Sequence, residues 1–151
     1  MLGRGLADQI RWMLAATNVS FTQKSINTRE KMLSMSERQL PFGQLPLLQI
    51  DDLEIVQSQA AVRYLAKRGK LLGANAQEEV KCDMIAETVR DLIPLVAQLP
   101  FKRVRGNAEE IEEHLKLLRE KWNFIGARFE YILATKENKT FLVGKYFFFD
   151  L

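Results

Sequence analysis

Few side chains in this 151-residue chain can do chemistry, and their types narrow the options. His114 is the single histidine, so one chain offers neither a His-based metal site nor a Ser-His triad. Cys82 is the single cysteine. That excludes a disulfide framework and a C-x-x-C redox pair, and it fits a reducing, cytoplasmic compartment. No metal and no resident cofactor is expected. Gln57 and Ser58 stand where a helix should begin. Backbone N–H groups and the positive dipole end favour a carboxylate there, although capping alone would explain the serine. Leu45-Pro46 is an X-Pro bond, which reaches the cis form far more cheaply than others. Taken alone, it is an ordinary proline before a strand.

The balance of charge bounds the partners. Net charge is +3, from 22 basic and 19 acidic residues, too mild to imply nucleic acid. Lys102, Arg103 and Arg105 form the one dense basic run. No aromatic platform interleaves it, so it reads as a solvated loop between helices. No apolar run approaches the ~20 residues of a membrane span, and no signal-peptide pattern opens the chain. The sequons at Asn18 and Asn138 are therefore read as chance matches. Hydrophobic residues at 47% supply enough apolar material for a core.

The elements that must position these groups follow from periodicity. Leu6, Ile10, Met13 and Leu14 predict a helix over about residues 5–16. Val19, Phe21 and Ile26 alternate roughly, as in a short strand. Thr28 can cap a short helix reaching Met35, followed by a loop from Ser36 to Gly43. Leu47, Leu48 and Ile50, the Asp51-Asp52 turn, and Leu53, Ile55 and Val56 predict a hairpin. Ser58 is the expected N-cap of a helix over Ala60–Lys67, with Gly69 just past its end. Asn75 with Glu78 starts the next helix. In it Ile85, Val89, Leu92, Val96 and Leu99 repeat, and Pro94 should kink it. Asn107 with Glu110 starts the last one. There Ile111, Leu115, Leu118, Trp122, Ile125, Phe129 and Ile132 form a core stripe stepping 4, 3, 4, 3, 4, 3. The two long helices should pack antiparallel. The layout is an α-β-α-β-β-α unit over residues 1–68, a linker over 69–74, and an all-helical unit over 75–151.

Three segments in this order resemble the cytosolic glutathione transferases, in particular their alpha, pi and sigma group. Gly3-Arg4-Gly5-Leu6-Ala7-Asp8-Gln9-Ile10-Arg11 is similar to the R-G-x-A-E-x-I-R segment that opens the family's first helix. Leu40-Pro41-Phe42-Gly43-Gln44-Leu45-Pro46 is similar to the loop ending in its cis-proline. Val56-Gln57-Ser58-Gln59-Ala60 with Arg63-Tyr64-Leu65-Ala66 resembles its Q-S/T-x-A-I-x-x-Y-L segment. The likeness covers about residues 3–144. It implies a thioredoxin-like domain without its first strand and a helical bundle domain without its last helices.

The resemblance also implies an activity and its residues. The family conjugates glutathione, a co-substrate rather than a cofactor, to small hydrophobic electrophiles. Gln57 and Ser58 would hold the γ-glutamyl carboxylate. The main chain of Leu45, before Pro46 and flanked by Gln44, would pair with the cysteinyl unit. Asp91 would reach the γ-glutamyl ammonium across a dimer of like or related subunits, and Phe42 would key into the partner subunit.

Three departures qualify that expectation. The family's thiolate-stabilising tyrosine would fall at or before Met1, and Tyr64, Tyr131 and Tyr146 stand in the wrong segments to replace it. No catalytic residue is therefore assigned. An inner strand would be missing, leaving its neighbours with open edges. Tyr146, Phe147, Phe148 and Phe149 would form an exposed apolar run near the C-terminus. Leu6 stands where alpha-class members carry an arginine. Residues for the glycyl carboxylate are not recognisable, Arg29, Lys31 and Arg38 being near on charge only. The rival reading is a non-catalytic truncated form that serves as a binding or dimerisation module.

Overall fold

The computed structural model describes residues 5–35, 37–137 and 140–143. The aromatic run Tyr146–Phe149, the Asn138 sequon, Gly3, Arg4 and Ser36 lie outside the described residues. The chain divides between Leu72 and Gly73 into two compact units.

Unit 1 contains α1 (Leu6–Ala16), α2 (Arg29–Leu33), β1 (Leu47–Ile50), β2 (Leu53–Val56) and α3 (Ser58–Arg68). Asp8 caps α1 by accepting from the Gly5 amide at 2.9 Å. Asn18 ends it in a left-handed turn at φ 53, with Val19 N–H bonded back to the Leu14 carbonyl at 2.8 Å. The next residues do not form the expected strand. Among the described residues none of the backbone amides from 20 to 27 donates to another main-chain carbonyl, and the sheet contains β1 and β2 only. Alternation marks a chain that could be half-buried, but a strand exists only where a neighbour completes its ladder. The observed order is thus α-α-β-β-α. Thr28 caps α2 as expected, accepting from Lys31 N–H at 3.2 Å.

The core of unit 1 is the α1–α3 contact. Ile10, Met13 and Leu14 are buried on α1; Ala61, Val62, Leu65 and Ala66 are buried on α3. Both helices end in the same way. Leu71 N–H returns to the Ala66 carbonyl, and the left-handed residue is Lys70 at φ 58, not the glycine beside it. Gly69 has an ordinary φ of −80. Its lack of a side chain is required by packing, since a Cβ there would stand 2.2 Å from Thr17 Cγ2.

Unit 2 contains α4 (Ala76–Arg90), α5 (Ile93–Arg105) and α6 (Ala108–Ala134). Asn75 accepts from Glu78 N–H at 3.0 Å, and Asn107 from Glu110 N–H at 2.9 Å, so both predicted starts are real caps. Pro94 does not kink one helix. It separates two, occupying the first turn of α5, where its missing N–H leaves no bond unmade. Lys102, Arg103 and Arg105 lie in the last turn of α5 rather than in a loop, where cations complement the helix dipole.

His114 is buried and its Nε2–H donates to the Leu95 carbonyl at 2.7 Å, laying α6 against α5. Leu95 is near the start of α5, so the later turns of α6 run past that helix. Ile125 is buried, but Trp122 is 63% exposed, which corrects its expected place in the core. No helix among the described residues is long and apolar enough to cross a membrane.

Cys82 is fully buried on α4. Burial, with Glu78 and Asp83 nearby, pushes its thiol from 9.0 up to about 12. The folded thiol keeps its proton where the unfolded one ionises. Its contribution to stability is therefore full below pH 9 and lost as pH rises from there toward about 12. At pH 8, alkylation of Cys82 by iodoacetamide should proceed at least tenfold more slowly in the native than in the urea-unfolded chain, as followed by mass spectrometry. Gly69→Ala should destabilise unit 1 by about 1–3 kcal/mol in denaturant titration, because Thr17 and α1 must give way.

Candidate functional site

The site is built at one end of the hairpin. Asp51 and Asp52 both have positive φ, 48 and 63, the arrangement of a type I′ turn that twists with the strands. That turn sets the register Leu47↔Val56, Leu48↔Ile55, Gln49↔Glu54 and Ile50↔Leu53. The open end of the ladder therefore carries Pro46 on one strand and Gln57 on the other. Gln49 and Glu54 also bond across it at 2.9 Å.

The turn is tied to α3. Tyr64 donates its hydroxyl to Asp51 Oδ2 at 2.9 Å, and Arg68 Nη1 meets the same oxygen at 2.5 Å. The carboxylate beside it raises the Tyr64 hydroxyl above its ordinary value. Tyr64 and Arg68 are four residues apart on one helix face, a spacing that could have flagged a shared partner. The partner itself comes from the hairpin and is set by the fold.

At the open end the Leu45–Pro46 bond is cis. Gln57 Nε2 donates to Gln44 Oε1 at 3.4 Å, so the two glutamines flank this segment. Gln57, not Ser58, is the N-cap of α3, and its side chain makes no capping bond. Ser58 is the first helical residue and is 7% exposed. Gln57 holds φ 68 and ψ 107. Side chains rarely adopt such a backbone; it costs of order 1–3 kcal/mol and collects at ligand-binding turns. The first backbone bond of α3 is Ala61 N–H to the Gln57 carbonyl at 3.1 Å. The amides of Ser58, Gln59 and Ala60 therefore point out of the helix start, as an anion requires.

The structure thus brings Gln44, Leu45, Pro46, Gln57 and Ser58 together. Asp91 belongs to unit 2, where it is the exposed C-cap of α4. Phe42 is 65% exposed, at the start of the loop leading to Gln44. Two contacts that periodicity did not disclose brace the neighbourhood. Gln59 Nε2 donates to Gln9 Oε1 at 2.8 Å, locking α3 to α1. Arg11 bonds to Asp8 and donates to Gln23 Oε1 at 2.9 Å, holding the extended segment to α1.

A family model described as the N-terminal domain of glutathione S-transferase matches residues 1–67. Glutathione S-transferase A4 of Mus musculus is 38% identical over 143 residues, covering 94% of this chain and 63% of that protein. The solved Nu-class glutathione transferase of Haemonchus contortus superposes with a TM-score of 0.79 at 31% identity, covering 96% of this chain and 70% of that one. A hookworm structure from Necator americanus, titled a monomeric glutathione S-transferase, shares the fold at TM-score 0.79 and 22% identity, covering 98% and 72%. The chain belongs to the glutathione transferase family: unit 1 is its thioredoxin-like N-terminal domain with a small sheet, and unit 2 is helical. It spans 63% of the length of that mouse protein and of glutathione S-transferase alpha-4 of Rattus norvegicus.

Gln57→Gly should raise the stability of unit 1 by about 1 kcal/mol in denaturant titration, because glycine accepts positive φ without a side-chain clash. Equal or lower stability would show that the Gln57 conformation is unstrained.

Proposed function

We propose that the chain binds glutathione at the open end of the hairpin and serves its conjugation to small hydrophobic electrophiles, a cytoplasmic detoxifying chemistry. The observation that carries the reading is the convergence of Gln44, the Leu45 main chain, Gln57 and Ser58 around the start of α3. Glutathione offers two carboxylates, an ammonium and a thiol. The γ-glutamyl carboxylate fits the outward amides of α3 with the Gln57 side chain. The Leu45 N–H and carbonyl pair with the cysteinyl main chain. Asp91 of a second copy supplies the anion for the ammonium, and Phe42 packs into that copy.

A second reading has its own support. In these 151 residues the one tyrosine hydroxyl of unit 1 is Tyr64, and Asp51 already holds it. A hydroxyl raised in this way is a poor stabiliser of a neighbouring thiolate. Binding without conjugation then defines a module rather than an enzyme.

Calorimetric titration of the folded chain with glutathione should give a dissociation constant near the millimolar range, only about −4 kcal/mol. Gln57→Ala and Ser58→Ala should each weaken it tenfold or more. A folded chain that takes up no glutathione removes the proposal. Binding without turnover of an aryl halide selects the second reading.

A further inference from the structure

The outer face of α5 is apolar and uncovered. Its inner face lies on α6, where the Leu95 carbonyl accepts from His114 and the side chains of Leu95 and Leu99 are half-buried. On the opposite side Ala97, Pro100, Phe101 and Val104 stand at i, i+3, i+4 and i+7, with Val96 beside them, so they form one crest. All five are exposed. Val104, at 83%, is the most exposed large apolar side chain among the described residues. Arg103 and Arg105 stand one residue to either side of Val104, about 100° round the helix each way. One cation therefore flanks each side of the crest, and α5 contains no Asp or Glu. Among the described residues neither arginine is ion-paired. Of the carboxylates that open α6, Glu110 is bonded to Asn107 and Glu112 to Arg119. The helix dipole accounts for cations in a last turn, but not for the apolar crest between them. A solvated helix face carries polar residues there.

We propose that α5 is an interfacial helix, which docks the protein reversibly on an anionic phospholipid surface. The crest enters between the headgroups, Phe101 and Val104 foremost, while Arg103 and Arg105 meet phosphates on opposite sides of the helix. Shape and charge together choose this occupant. A plane of phosphates meets both flanks of a convex helix at once, whereas a protein partner must supply a groove with carboxylates on both rims. The 13 residues of α5 span about 20 Å and carry one apolar stripe on the solvent side, so the helix lies on a bilayer and does not cross it. None of these residues makes a glutathione contact, so the docking surface stands apart from the reading above.

The test uses the whole chain and vesicles of phosphatidylcholine containing one-third phosphatidylserine. Co-sedimentation should show saturable binding at least tenfold tighter than to phosphatidylcholine alone. Raising salt from about 0.1 M to about 1 M cuts the screening length from about 10 Å to 3 Å and should release the protein. Arg103→Gln with Arg105→Gln should weaken binding at least tenfold, from about fivefold for each cation. Residues 103 to 105 are exposed, so changes there should leave circular dichroism and the melting temperature as they are. Val104→Cys carrying an environment-sensitive fluorophore should shift to the blue on the anionic vesicles. The same label at the exposed Glu120→Cys on α6 should not, and the buried Cys82 stays unlabelled. Four results overturn the proposal. Equal binding to neutral vesicles would mean apolar adhesion. Undiminished binding by the double arginine variant would remove the role of the cations. A label at 104 that stays aqueous on bound protein would place the contact on another surface. Absence of binding to anionic vesicles is the fourth, and a label at 104 that then shifts on poly-glutamate would give the face to an acidic protein partner.

Discussion

The close approach of α1 and α3 is the contact on which unit 1 depends. Ala61, Leu65 and Ala66 are completely buried at that seam, opposite Ile10, Met13 and Leu14. Small residues on α3 let the two backbones approach, and burial of Leu65 alone is worth about 2 kcal/mol. Gly69 carries the approach to the ends of both helices by leaving room for Thr17. The bond from Gln59 to Gln9 fixes the rotation of one helix on the other. Once α3 is held along its length, its first turn is held too, and that turn is where the outward amides stand.

The hairpin is positioned from the same helix. Tyr64 and Arg68 grip Asp51 at the turn, while Gln57 joins the last residue of β2 directly to α3. A strand running straight into a helix leaves the joining residue little choice of backbone. Gln57 takes a positive φ, and the side chain thereby reaches Gln44. Strain, turn and contact are one geometry. Unit 2 is held differently. There the caps at Asn75 and Asn107 begin the helices, and a buried histidine bonded to a main-chain carbonyl ties two of them together.

Much of this was legible in the residues. The three Asn and Thr caps, the hairpin with its Asp51-Asp52 turn, and the α1 face all follow from local chemistry that acts over four residues or fewer. So did the gathering of Gln44 and Pro46 with Gln57 and Ser58, although through resemblance to a family rather than through spacing. Misreadings arose where a local rule had two outcomes. Pro94 can kink a helix or open a new one. Lys102, Arg103 and Arg105 can lie in a loop or close a helix, and they close α5. Ser58 can cap a helix or begin it.

Long-range partners resolved what local rules left open. Alternation at Val19, Phe21 and Ile26 describes a chain able to pair, but pairing needs a neighbour 4.8 Å or so away, and that is a property of the sheet. The seam of α6 has the right period through Trp122, yet burial requires a facing helix, and α5 begins too early along α6 to reach it. Periodicity and caps set which segments are helices and strands because those signals are carried by neighbours in the chain. Which surfaces are covered, which edges stay open and which side chains converge at the start of α3 were settled by contacts between residues as far as fifty positions apart.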